Sequence, residues 1–405
     1  MQKKIIALAV AGLMSGAAFA QSNVTVYGQV DMGYYNTRSD MLTSAEADHT
    51  AGIGSGLWGA SRLGFKGEEA LGNGLKAMFT LEYGLRADAA AGVGSNLDGT
   101  GNAREQTIGL AGDFGTVKAG YQTTLGHIAM NKFDAARATA FSALNSLRAT
   151  SISVSNRHAN TVAYTAPKLI DGLTLAATYG FAGAAASDLN AYGGATATTN
   201  EDQERVLGFM VDYTAGPLAV AYVHHRINDL GATGTPATPP ATSGIDGLDN
   251  REHMVGASYD FGVVKLFGTY QTDRRSGHPT TPNLAASEFR NRVYQLGLQL
   301  PINEMSRVDF NYANFNRKED VTNFARVADN DAKSWAIQYS YNLSKRTMAY
   351  AGYTRVTNDN PTSIGSTQFT ALRGASAATG GDYGVAPTDI GGDSRGWGVG
   401  LRHNF

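Results

Sequence analysis

The chain closes on Arg395-Gly-Trp-Gly-Val-Gly-Leu-Arg-His-Asn-Phe405. Counting back from Phe405, His403, Leu401, Val399 and Trp397 fall on one phase, while Asn404, Arg402, Gly400 and Gly398 fill the other. A period of two with one apolar and one polar face is a β-strand with a greasy side and a wet side. A strand of this length that ends on an aromatic residue needs a partner, because an unpaired edge invites aggregation. The expected partner is the first strand of the mature chain, so that the sheet closes on itself as a barrel.

The first twenty residues read as a targeting segment. Lys3 and Lys4 precede an apolar run from Ile5 to Gly16, and Ala18-Phe19-Ala20 supplies a small-x-small cleavage site before Gln21. The expectation is a signal peptide over 1–20 and a single domain over 21–405. Of 33 basic and 35 acidic side chains, two lysines lie in this leader, leaving a formal charge of about −4, which argues against a nucleic-acid partner. The chain has no cysteine, so disulfides and thiolate metal sites are excluded. After residue 20 no apolar run is long enough for a membrane-spanning helix. Spanning strands need only about ten alternating residues each.

Such segments recur from end to end. In Val24-Thr-Val-Tyr-Gly-Gln-Val-Asp-Met-Gly-Tyr34, the residues Val24, Val26, Val30, Met32 and Tyr34 oppose Thr25, Tyr27, Gln29 and Asp31. Leu63 and Phe65 oppose Arg62, Lys66 and Glu68, and Leu75, Ala77, Phe79, Leu81 and Tyr83 oppose Lys76, Met78, Thr80 and Glu82. Short turns fall at Glu69–Gly74, Asp113–Thr116, Pro167–Gly172, Ala215–Pro217, Asp260–Val263, Pro301–Arg307 and Asn342–Thr347. Long polar or Gly-rich segments lie at 36–59, 86–103, 123–158, 182–204, 229–251, 272–291, 316–332 and 356–394. The alternation of short turns and long loops predicts an all-β fold: a transmembrane antiparallel β-barrel of 16 strands, with short periplasmic turns and long extracellular loops. Sixteen strands enclose a water-filled lumen rather than a packed core.

Several short segments resemble the general diffusion porins of Gram-negative bacteria, in particular the sixteen-stranded trimeric branch common in beta-proteobacteria. They are Val24-Thr-Val-Tyr-Gly28, Ser61-Arg-Leu-Gly-Phe-Lys-Gly67, Gly74-Leu-Lys-Ala77, Phe114-Gly-Thr-Val117, Gly256-Ala-Ser-Tyr-Asp-Phe-Gly262, Leu343-Ser-Lys-Arg-Thr347 and Gly398–Phe405. The resemblance implies an outer-membrane homotrimer among lipid and lipopolysaccharide, passing small hydrophilic solutes and needing no cofactor. It also implies that the third loop, 123–158, folds inward to narrow the barrel. A ladder of arginines would face that loop and favour anions; Arg62 matches that pattern, and Arg104 and Arg157 match by position. Tyr121 stands where the resemblance leads one to expect Arg.

The charges of the polar phase would set ion preference. Arg62, Lys66, Lys76 and Lys118 stand against Asp31, Glu68 and Glu82, and the third loop adds Lys132, Arg137 and Arg148 against Asp134. The local balance is basic despite the acidic total, and a narrow low-dielectric passage focuses such a balance into anion enrichment. The bland reading of any one of these residues is a solvated wall or loop charge. Three other functions are weighed against the diffusion pore, one of them a structural anchor or adhesin, which would be expected to carry a separate periplasmic or surface domain. A substrate-specific channel would use luminal rings such as Tyr27 and Tyr353 to bind solute. An outer-membrane enzyme would need His, Ser and an orienting polar group on one face.

Gly54-Ser-Gly-Leu-Trp-Gly59 fits a dinucleotide fingerprint and Gly392-Asp-Ser-Arg-Gly396 a nucleophile elbow, but each leads into a strand rather than a helix, so neither is read as functional. His224 and His225 are adjacent on a strand and point to opposite faces, so they cannot chelate one ion. His403 falls on the lipid-facing phase. Loop acids Asp246, Asp249, Asp329 and Asp331 offer at most an outer-surface cation site.

Overall fold

The computed structural model describes residues 23–39, 48–95, 101–147, 157–181, 205–230, 245–279, 288–320, 330–359, 371–372 and 393–405. The leader expected over 1–20 and Arg148 lie outside these residues. The strands are β1 (Asn23–Ser39), β2 (Asp48–Ser55), β3 (Arg62–Gly72), β4 (Leu75–Gly84), β5 (Ala103–Gly112) and β6 (Gly115–Thr123). Two short helices follow, α1 (Leu125–Phe133) and α2 (Ala143–Ser146). The sheet resumes with β7 (Arg157–Thr165), β8 (Leu173–Gly180), β9 (Arg205–Ala215), β10 (Leu218–Leu230), β11 (Ile245–Asp260) and β12 (Lys265–Pro279). It ends with β13 (Glu288–Pro301), β14 (Ser306–Asp320), β15 (Asn330–Asn342), β16 (Thr347–Asn358) and β17 (Ser394–Asn404).

All of these strands belong to one antiparallel sheet, and the last closes on the first from Gln29↔Asn404 to Ser39↔Ser394. The seam is finished by the terminal residue, whose N–H donates to the Gly28 carbonyl at 3.1 Å while the Gly28 N–H donates to its carbonyl at 3.2 Å. The upper half of β1 pairs with β2 and its lower half with β3, so these two share one position and the barrel has 16. Part of the expected first loop is thus strand. Of the rest, 40–47 lies outside the described residues, and 56–59 turns inward with Leu57 and Trp58 buried.

All seven expected short turns connect adjacent hairpins. In the first, Gly72, Asn73 and Gly74 all have positive φ (92°, 50° and 77°), a path that two glycines and an asparagine take at little cost. At the other end the strands run further than the hydrophobic alternation suggests. β11 begins at Ile245 inside the expected loop 229–251, and β12 and β13 reach Pro279 and Glu288 within 272–291. Above the lipid the ladder continues because backbone groups still satisfy one another, while side chains no longer need to be apolar.

Outward faces carry Val24, Val26, Val30, Tyr34, Trp397, Val399 and Leu401, all exposed. His403 is exposed on this face and His225 is buried on the inner face opposite His224. Tyr353 is a correction: the inner residues of β16 are Tyr350, Gly352 and Thr354, so Tyr353 points outward and stacks on Trp335 at 5.2 Å.

Candidate functional site

The inward arginines and lysines cluster on one stretch of wall, from β17 through β1 to β7, with Arg307 of β14 in addition, while Asp212, Glu252, Asp273 and Asp309 are buried inner-face acids on the other strands. Register alone places Asp31 of β1 directly opposite Arg402 of β17, and Gln29 opposite Arg62 of β3. Glu82 of β4 faces Glu105 of β5, two like charges across a ladder. A bulge between Glu82 and Tyr83 offsets this by turning Arg104 inward as the extra residue beside the pair. Arg104 Nε then donates to Glu82 Oε1 at 2.7 Å, and Arg62 Nε lies 3.5 Å from Glu82 Oε2. Glu105 is taken by Lys118 at 3.1 Å.

Glu82 also accepts from the Tyr27 hydroxyl at 3.0 Å. The Tyr27 ring lies over Gly64, where a Cβ would collide with it, and Lys66 Nζ sits 5.2 Å from its centroid. Arg157 is within electrostatic reach of Arg104, Arg104 of Arg62, Arg62 of Arg402, and Arg402 of Arg137 and Arg307. Six arginines therefore form one electrostatically continuous band. The carboxylates along it are Glu82, Glu105, Asp31 and Asp309, the last held by Arg307 at 2.7 Å.

The opposite side of the passage is the third loop. Thr124 caps α1, its Oγ1 accepting from the His127 N–H at 3.2 Å, and the apolar face of the helix buries Leu125, Met130 and Phe133. The helices contact β8 to β12 and β14 to β16, where the inner face is small or apolar: Ala176, Met210, Ala221, Val223, Met254 and Ala313. Phe133 is seated on Gly256, Ala135 on Gly297 and Phe141 on Gly352, each where the wall lacks a side chain. Gln299 donates to the Ala135 carbonyl at 2.7 Å, Thr139 Oγ1 to Gln338 at 2.8 Å and the Ala143 N–H to Asn311 at 2.5 Å. Lys132 is tied to Asp212 at 2.6 Å and Thr214 at 2.8 Å.

Asp134 organises the tip of this loop. It accepts from the Ala136 N–H (2.9 Å), the Ala138 N–H (2.8 Å), Ser142 Oγ (2.6 Å) and Gln295 Nε2 (2.9 Å). Burial pushes its carboxyl above the usual range, and these hydrogen bonds work in the opposite direction. Between the tethered amides the chain passes through positive φ at Arg137 (52°) and Ala138 (51°), leaving Arg137 exposed while its neighbours are buried. Asp31 does similar work for the inward segment. Its side chain accepts from the Gly59 N–H (2.8 Å), the Trp58 N–H (3.1 Å) and the Tyr350 hydroxyl (2.5 Å), and Trp58 packs on Tyr350 at 5.3 Å.

Of the residues singled out from the sequence, Arg62, Glu82, Arg104 and Arg157 are brought together, with Lys118 and Lys66 close by on the same wall. Lys76 lies beside the first turn, 3.6 Å from Glu68, both more than half exposed. Asp134 is buried inside the third loop rather than facing the passage. Tyr121 lies within electrostatic reach of Arg157. Arg402, Arg307 and Asp309 are members of the site that sequence reasoning misses. Arg402 is legible on the polar phase of the last strand, but its place opposite Asp31 needs the closure register. Among the described residues no group of three or more His, Asp or Glu could hold a metal. Asp249 lies 3.9 Å from Arg226, Asp331 accepts from Asn316, and Asp329 is outside the described residues.

A closed sheet, an inward loop and a charged passage describe a channel, and a family profile described as Gram-negative porin matches residues 7–361. The chain belongs to the Gram-negative porin family. Outer membrane porin protein 32 of Delftia acidovorans is 29% identical over 410 residues, covering 100% of both chains. An outer membrane porin protein of Bordetella pertussis is 31% identical over 382 residues, 87% of this chain and 93% of that one. Among solved structures, an anion-selective porin from Comamonas acidovorans aligns with a TM-score of 0.70 at 25% identity, over 95% of this chain and all of that one. OmpT of Vibrio cholerae, solved in a trimer form, aligns at 0.60 with 18% identity over 95% of this chain and 99% of that one, a likeness of fold. This porin is therefore a barrel of the Gram-negative outer membrane, and its function is passive diffusion of small hydrophilic solutes.

Proposed function

We propose that the protein is a homotrimeric, anion-preferring diffusion channel without catalytic activity, whose selectivity is set where the arginine band faces the third loop. The observation that carries this reading is the imbalance on the open side of the passage. Arg62, Arg104, Arg157, Arg402, Arg137, Arg307 and Lys118 stand against Glu82, Glu105, Asp31 and Asp309. On the other side the third loop's own acid, Asp134, is buried and its lysine, Lys132, is neutralised by Asp212. Charges held in a narrow, low-dielectric-walled opening enrich the counter-ion without binding it tightly, which conduction requires.

A similar porin of known structure that is anion-selective supports the same direction, and the trimer form of OmpT supports the assembly. The third loop is the proposed constriction and 1–20 the proposed leader. A saturable sugar track is less favoured: Tyr27 is occupied by Glu82 and Lys66, and Tyr353 faces outward. Swelling of liposomes containing the purified protein tests the proposal. Small organic anions should enter faster than cations or neutral sugars of equal size, and faster cation entry would overturn it. Hydrolysis of added phospholipid by the same preparation would revive the enzyme reading.

A further inference from the structure

We propose that the inward segment of the first loop, residues 56–60, is a strut that fixes the gap between the third loop and the arginine band and so sets the size limit of the passage. Trp58 and Leu57 are its positioning residues and Asp31 is its anchor, an inference that rests on the third loop being the constriction.

The connection from β2 to β3 leaves the sheet at Gly56, whose φ of 92° turns the chain into the barrel. Outside a ladder each backbone group needs another partner, and here the partners stand on both sides of the passage. The Gly56 N–H donates to the Asp31 carbonyl at 2.9 Å, and the Trp58 and Gly59 N–H groups donate to one oxygen of the Asp31 side chain. Gln29 Nε2 donates to the Gly59 carbonyl at 2.6 Å and to the Ala60 carbonyl at 3.0 Å. The Ala60 carbonyl also accepts from Arg62 Nη1 at 3.4 Å, so this end touches the arginine band. At the other end the Leu57 carbonyl accepts from the Ala140 N–H of the third loop at 2.8 Å.

The side chains close the same span. Leu57 fits over Gly33 of β1, and Leu57 and Phe141 both rest at Gly398 of β17. Tyr350 stands against the rings of Trp58 and Phe141, at 5.3 and 6.2 Å, and its hydroxyl donates to the second oxygen of Asp31. Asp31 thus holds the segment through one oxygen and the ring beneath it through the other. Trp58 and Leu57 are buried and do not line the passage, so they act on solutes through the positions of Ala140, Phe141 and Arg62. Truncating a buried aromatic leaves a space that its neighbours fill only in part, and the neighbour on the open side is the third-loop tip.

Asp31 as a pore charge and Asp31 as an anchor predict opposite signs. Loss of a negative charge alone would raise anion preference. Loss of the strut widens the passage and weakens the focusing on which that preference depends.

The test is swelling of liposomes holding the full protein in a pentose, a disaccharide and a trisaccharide, together with the zero-current potential in planar bilayers. In Trp58→Ala and Asp31→Ala the two larger sugars should enter severalfold faster relative to the pentose, and the anion-to-cation permeability ratio should fall. Asp31→Asn keeps an acceptor for the two N–H groups without the charge, so its sugar ratios should stay those of wild type. Should Asp31→Ala fail to fold, Trp58→Ala, which leaves the backbone hydrogen bonds in place, carries the comparison. Wild-type sugar ratios in Trp58→Ala, or a higher anion preference with an unchanged size limit in Asp31→Ala, would overturn the proposal. Gly352→Val, at the seat of Phe141, separates the two readings. If it alters the sugar ratios and Trp58→Ala does not, the strut fails and the third-loop constriction stands; if neither alters them, both fail.

Discussion

Replacing Glu82 by Gln should make the channel more anion-selective. Glu82 is the carboxylate between Arg62 and Arg104, at 3.5 and 2.7 Å, and Gln keeps its shape and its bond from Tyr27 while removing the charge. A unit charge about 7 Å from the ion path contributes ~0.6 kcal/mol at the dielectric of water. With a screening length of ~10 Å in 0.1 M salt this falls to ~0.3 kcal/mol. Anions gain that amount and cations lose it, so the anion-to-cation permeability ratio should rise about threefold. In 1 M salt, where screening acts over ~3 Å, the change should shrink to roughly 1.2-fold. Arg402→Gln should move the ratio by a similar factor in the other direction. The assay is the zero-current potential across a planar bilayer at both ionic strengths. An unchanged or lower ratio for Glu82→Gln at 0.1 M, in a channel of normal conductance, would refute the reasoning.

Three further outcomes follow from the packing. Asp134→Ala removes the acceptor of four hydrogen bonds at the loop tip and should cost about 3 kcal/mol in urea unfolding, while raising conductance and its noise. Gly352→Val places a side chain where the Phe141 ring is seated, so the third loop should be pushed into the passage and single-channel conductance should fall by a factor of about two. Deleting Phe405 breaks the pair of backbone bonds to Gly28 at the seam, and should lower the yield of folded barrel, measured by heat-modifiable migration on gels, several-fold.

The barrel was legible because lipid imposes a period of two on every outward face, as Leu75 to Tyr83 show, and because seven turns are short. The arginine band was legible in part, since Arg62 and Glu82 sit on an unambiguous polar phase. Other features depend on contacts between distant segments. Arg104 faces the lumen only through a bulge, and Arg402 meets Asp31 only because the chain ends pair. The inner face of β8 to β16 reads as ordinary apolar strand, yet Ala221, Val223 and Met254 are small or apolar because the third loop rests on them. Asp134 looks like a pore charge in sequence and is a buried fastener in structure.

The central claim is that a basic imbalance in the passage sets selectivity. Its most direct test is the zero-current potential of the unmodified protein under a tenfold KCl gradient in a planar bilayer. The potential should carry the sign of chloride permeation and decline as both solutions are made more concentrated at a fixed ratio. A potential with the sign of potassium permeation would contradict the account.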